Sequence, residues 1–169
     1  MGNSKYFRFL DIFRCALTVA FLIMTVRVWS LDEVSPCEEI SLSRLFSTYT
    51  VIDVVRYGGG LTTDADAKSF IGSEVLVSRD IFGMIDLRVS EPDYKLRCYP
   101  AFVEGEVDTN RGSNFYGFGL EREFIVVLDV YDKSDDIVGP SAKLEVFNDK
   151  LWRLYDGWLY IMEADQRSQ

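Results

Sequence analysis

The stretch LWRLYDGWLYIM, residues 151–162, decides the fold. Two apolar runs flank Asp156-Gly157, and Asp-Gly between alternating runs is a strong hairpin signal. A type I′ turn needs positive φ at both central positions, which these two residues accept. A two-residue turn also sets the register. Tyr155 falls opposite Trp158, Leu154 opposite Leu159, Arg153 opposite Tyr160 and Trp152 opposite Ile161.

Side chains alternate across a sheet, so the hairpin has two unlike faces. Trp152, Leu154, Leu159 and Ile161 form a uniformly apolar face, which is assigned to the core. Burying each of those side chains stabilises by ~1.5–3 kcal/mol. The other face carries Leu151, Arg153, Tyr155, Trp158, Tyr160 and Met162. Tyr, Trp, Arg and Met are enriched in interface cores. Arg153, Tyr155, Trp158 and Tyr160 are therefore the candidate binding residues, for a partner or a ligand. The competing reading is ordinary packing against other strands, with Arg153 over Tyr160 as a cross-strand cation–π pair worth ~0.5–1 kcal/mol. If that face is a surface, alanine at Trp158 leaves folding largely intact. If the hairpin is scaffold on both sides, the same change collapses the domain.

Outward from the hairpin the pattern stays β. In TYTVIDVVRY (residues 48–57), Thr50, Ile52 and Val54 alternate with Val51, Asp53 and Val55, which predicts a strand buried on much of both faces. In TTDADAKSFIG (62–72), a Thr cap, acids in the first turn and Gly72 as a stop predict one short helix. EVLVS (74–78) reads as a strand. IFGMIDLRVS (81–90) reads as one alternating strand, with Ile85, Leu87 and Val89 on one face and Met84, Asp86 and Arg88 on the other. YKLRCYP puts Tyr94, Leu96 and Cys98 opposite Lys95 and Arg97. REFIVVLDVYD puts Phe124, Val126, Leu128 and Val130 together. The Gly-, Asn- and Asp-rich EGEVDTNRGSN (104–114) reads as a long loop, and DKSDDIVGPS (132–141) as another. KLEVF, the turn Asn148-Asp149 and KLWRLY lead into the hairpin. The sum is a mainly β fold: about eight antiparallel strands in a single up-and-down barrel, with one short helix after the first strand. Closing the barrel removes exposed edges.

The N-terminus has a different character. Lys5, Arg8 and Arg14 precede the uncharged CALTVAFLIMTV of residues 15–26. That run is short for a bilayer span of ~20 residues and suits a signal-peptide core of roughly 7–15. Residues 1–30 are read as a signal peptide or a single-pass anchor, 31–46 as a polar linker, 47–163 as the barrel and 164–169 as a disordered tail. Basic residues before the apolar run place the remainder outside the cytoplasm, periplasmic or attached to the inner membrane. Contact with a membrane is through residues 12–28, and only if the segment is uncut.

Beyond residue 30 the chain carries 14 Lys/Arg against 26 Asp/Glu. Such a field repels nucleic acid and attracts a cationic partner; the alternative reading is solubility alone. Cys37 and Cys98 are the two cysteines of that part. In an oxidising compartment they invite one disulfide, closing a loop of about 60 residues and contributing roughly 3–4 kcal/mol in the chain-entropy picture. The other reading is two unrelated thiols.

Several chemistries are excluded. The chain has no histidine, so Ser-His-Asp, Cys-His and His-ligated zinc sites are ruled out. No Walker A or dinucleotide fingerprint occurs. Asp132, Ser134 and Asp136 open like a calcium loop, but Ile137 stands where Gly is required and Lys143 where a bidentate Glu belongs. No spacing singles out a carboxylate pair. The expectation is a protein that is not an enzyme and holds neither metal nor cofactor.

The order of elements, with SFIGSEVLVS (69–78), EPDYKL (91–96) and LWRLYDGW (151–158), resembles the small lipocalin-like β-barrel proteins exported by bacteria. The G-x-W that marks true lipocalins near the first strand is absent. The resemblance therefore implies the barrel and transfers no functional residue. Together these readings point to a non-catalytic binding protein of the cell envelope. One form is an inhibitor or immunity factor for a cationic enzyme or toxin; the other is a carrier of a small apolar ligand.

Overall fold

The computed structural model describes residues 40–103, 111–134 and 138–165. Residues 1–30, with their signal or anchor readings, lie outside that set, as do Cys37 and residues 166–169. Among the described residues no helix is long and apolar enough to cross a membrane.

The hairpin forms as its sequence dictates. β8 (Lys150–Tyr155) and β9 (Trp158–Ala164) pair with Tyr155 opposite Trp158, Arg153 opposite Tyr160 and Trp152 opposite Ile161. Asp156 and Gly157 have φ of 46° and 82°, the two positive values of a type I′ turn.

Seven further strands complete the sheet: β1 (Ser47–Arg56), β2 (Glu74–Val77), β3 (Ile81–Met84), β4 (Leu87–Ser90), β5 (Asp93–Pro100), β6 (Phe124–Tyr131) and β7 (Ala142–Phe147). Every pairing is antiparallel, in the order β4-β3-β2-β1-β9-β8-β7-β6-β5. Two meanders, β1–β4 and β5–β9, thus meet where β1 pairs with β9, and the sheet curls into a half-barrel. The Tyr94 hydroxyl on the edge strand β5 donates to the Ser78 carbonyl, in the turn between β2 and β3, at 2.9 Å.

There are nine strands rather than about eight, because IFGMIDLRVS is a hairpin and not one strand. Met84 pairs with Leu87 and Phe82 with Val89 around a two-residue turn, Ile85-Asp86. A two-residue turn reverses the parity of the inward positions. Phe82 and Met84 point inward before it, Leu87 and Val89 after it. Strand β1 also departs from simple alternation. A bulge at Ile52 shifts the register against β9 between Val51 and Asp53, so Val51 and Val54 both face inward while Ile52 is exposed. A bulge inserts one unpaired residue and bends the strand, which serves curling.

The inner face gathers the main core from all nine strands, with Val51, Val75, Phe82, Val89, Leu128, Leu144, Leu151 and Met162 among its members. β5 and β6 present Leu96, Cys98, Val126, Leu128 and Val130 to it, as their alternation predicts. Residues 42–45, in the stretch read as a linker, form a short 3₁₀ turn whose Leu45 is buried in this core, with Ile40 and Phe46 packed beside it. Helix α1 (Asp64–Ser69) starts where expected. Its cap Thr63 accepts from the Asp66 amide at 3.2 Å, and Gly72 beyond it has φ of +88°.

The outer face has its own cover. The segment read as a long loop contains α2 (Gly112–Phe115) and lies on β7 and β8 through a buried polar knot. Glu145 accepts from the Ser113 amide at 3.1 Å and from Arg122 Nη1 at 3.0 Å, and also from the Ser113 hydroxyl. The Arg122 guanidinium lies over the rings of Phe147 and Trp152, at 5.0 and 5.3 Å. On this face Trp152 and Leu159 are buried, while Leu154 and Ile161 are half-buried. The apolar hairpin face assigned to the core is thus the outer one, and the aromatic face lies on the main core.

Candidate functional site

The curled sheet leaves a cavity of about 320 Å³ on its inner face, at the small end of the ~300–1,000 Å³ common for ligand pockets. Val51, Met84, Tyr160 and Met162 form its sheet wall, Phe70 beyond α1 covers one flank, and Ile85 and Asp86 of the β3–β4 turn stand at another. Leu61 and Thr62 close it from the loop before α1.

That loop is held by the hairpin turn. Asp156 accepts from the Leu61 amide at 3.0 Å, the Thr62 amide at 2.5 Å and the Thr62 hydroxyl at 2.6 Å. The Gly157 carbonyl accepts from the amides of Tyr57 and Gly58. Loop and turn approach so closely that a Cβ at Gly60 would overlap the Asp156 backbone. The bonds from Thr62, then the Leu61 and Thr62 amides, hold the Asp156 carboxyl below its ordinary pKa of 3.8. A depressed folded pKa means the clasp is fully present above 3.8 and lost as pH falls through the lower folded value. In Asp156→Asn, which cannot ionise, the denaturation midpoint accordingly falls less on acidification than in the parent. An equal fall in both proteins counts against the clasp.

Of the four candidate binding residues, the structure brings three to the cavity: Arg153, Tyr155 and Tyr160. Arg153 lies over the Tyr155 ring at 4.5 Å, the neighbour on its own strand, rather than over Tyr160 as the register alone suggests. Its side chain is only 12% exposed. Nη1 points to the Met84 sulfur at 2.9 Å and to Asp86 Oδ1 at 3.3 Å. Burial pushes the Tyr160 phenol above its ordinary pKa against the opposing pull of Arg153, so it stays a neutral hydroxyl at physiological pH.

Trp158 is not a cavity residue. Its ring is 2% exposed within the main core, its indole N–H donates to the Thr62 carbonyl at 3.1 Å, and Arg56 lies over it at 5.3 Å. It anchors the loop instead. Cys98 is half-buried against the main core, and its proposed partner Cys37 lies outside the described residues.

Sequence reasoning missed the residues supplied by the β3–β4 turn. Alternation over 81–90 places Met84 and Asp86 mid-strand, although the inward apolar positions switch from even (Phe82, Met84) to odd (Leu87, Val89), and that switch is the signal in the sequence. Among the described residues no three carboxylates or cysteines gather to hold a metal ion. The wall can do two things chemically: exclude water from an apolar guest, and offer it one cation, two phenol rings and the carboxylates of Asp66 and Asp86. Compared with protein-family models, with curated proteins and with solved structures, the chain matches none.

Proposed function

We propose that the protein binds a small, largely apolar molecule in the inner-face cavity and is not an enzyme. The observation that carries this is an apolar recess with a single, mostly buried cation in its wall. Such recesses with a few placed polar groups are where small ligands bind. The all-antiparallel sheet curls into a half-barrel whose neighbours are consecutive strands except where β1 meets β9, and an up-and-down order of this kind supports the lipocalin-like reading. Native mass spectrometry of protein purified from its own host tests it. Added mass should be seen and should vanish on denaturation. In Ile85→Trp, whose indole fills the mouth from an exposed turn, the added mass should fall. A clean apo mass in every preparation argues against a carrier.

A second reading is favoured by a separate observation. Between β5 and β6, Phe102, Phe115 and Leu120 are 81%, 60% and 64% exposed. Apolar side chains on the surface of so acidic a chain suit a basic protein of the envelope as partner. Under this reading gentle cross-linking at low salt captures a basic partner from envelope extract, and capture declines as salt rises. Retrieval of no protein sinks it. Export and the Cys37–Cys98 bond belong to both readings. N-terminal sequencing checks the first, and an intact mass two hydrogens below that of the reduced chain checks the second.

A further inference from the structure

The geometry points to an amphipathic carboxylate as the ligand class, with its head group on Arg153 and its apolar tail along Val51, Tyr160 and Met162. The inference rests on the cavity reading above and names what the cavity selects.

A guanidinium has five N–H donors and cannot be discharged at physiological pH, so a largely buried one is costly unless its donors are satisfied. Arg153 is poorly satisfied for its burial. Its two hydrogen bonds both leave from Nη1. One ends on a thioether, a weak acceptor. The other reaches Asp86 at 3.3 Å, long for a charge-assisted bond, and that carboxylate is itself 54% exposed. Nε and Nη2 make no hydrogen bond among the described residues, and neither is a sealed orphan. Arg153 lines the cavity, so a guest has donors within reach. A carboxylate is the group that matches two parallel guanidinium donors.

Asp86 is then a placeholder. It stands on an exposed turn, can swing into water at little cost, and leaves the guanidinium to the ligand. The other acid on the wall, Asp66, is already engaged: it accepts from the Thr63 hydroxyl at 2.6 Å at the start of α1. The wall thus carries one cation and two carboxylates, and a carboxylate guest is favoured by the Arg153 donors left without a protein acceptor among the described residues rather than by the wall's net charge.

The test titrates the full chain calorimetrically with decanoate, decanol and decylammonium, each below its micelle concentration. Decanoate should bind roughly 10- to 100-fold tighter than decanol, the range for a hydrogen bond to a charged group, and decylammonium weakest. Arg153→Met keeps the apolar stem; it should bring decanoate down to the decanol level with decanol unchanged. Asp86→Asn, at an exposed turn where folding is not at stake, should tighten decanoate several-fold by removing the competing carboxylate. Equal affinity for all three, abolished in Ile85→Trp, would overturn the carboxylate assignment and leave the cavity reading standing. Preference for decylammonium would overturn it in favour of the rim acids. Binding of none of the three would overturn both readings together.

Discussion

Trp158→Ala lowers the free energy of unfolding by ~3–5 kcal/mol, the range for removing a buried tryptophan from a core. The ring is 2% exposed and packs in the inner core, so the substitution leaves a void the surrounding strands cannot fully close. It also strips the Thr62 carbonyl of its indole donor. Urea denaturation of parent and variant measures the loss. A change under ~1 kcal/mol, the size common for surface positions, would return the ring to the surface and reopen it as a binding residue. Thr62 is the shared anchor of Trp158 and Asp156. The variant that does fold should therefore show its cavity loop loosened, read as faster amide exchange at Leu61 and Thr62.

Glu145→Ala is the second large effect, of ~3–5 kcal/mol, because removing one member of a buried ion pair leaves the other charge uncompensated. The Arg122 and Glu145 side chains are each 7% exposed. The same physics makes the double change informative. Arg122→Met with Glu145→Leu removes both charges and keeps apolar volume between Phe147 and Trp152, so it should recover most of the loss. A double-mutant cycle by denaturant unfolding gives the coupling. If the double variant is as unstable as Glu145→Ala, the knot acts through the Ser113 bonds rather than through charge.

Local turn chemistry was the most legible part of the fold. Asp156-Gly157 announced a type I′ turn, and from that turn the pairing of Arg153 with Tyr160 followed without further information. The Thr63 cap and Gly72 marked α1 for the same reason: each is a requirement of a few neighbouring atoms. Where the outcome depended on distant chain, the reading faltered. Which hairpin face is inside is set by the direction in which nine strands curl, and nothing in residues 151–162 encodes that. The bulge at Ile52 answers the register of β9, about a hundred residues away. The outer cover was hidden by composition, since a Gly- and Asn-rich stretch looks like solvated loop. Its buried members, Arg111 and Ser113, are types usually found in water. The candidate site was legible to the extent of Arg153, Tyr155 and Tyr160, which one strand pair carries. Met84, Asp86 and Thr62 come from other hairpins and loops.

The pairing of β1 with β9 has a consequence for how the molecule comes into being. Arg56 lies opposite Trp158, so the two meanders share no backbone ladder until synthesis has passed residue 158. Before then β1–β4 and β5–β8 are separate ribbons, each with an unpaired edge and half of an apolar wall. Loop closure over such a separation carries a large entropic cost that local turns do not offset, and folding dominated by such contacts is slow, in the millisecond-to-second range. The seven residues of β9 convert two unfinished ribbons into one sheet.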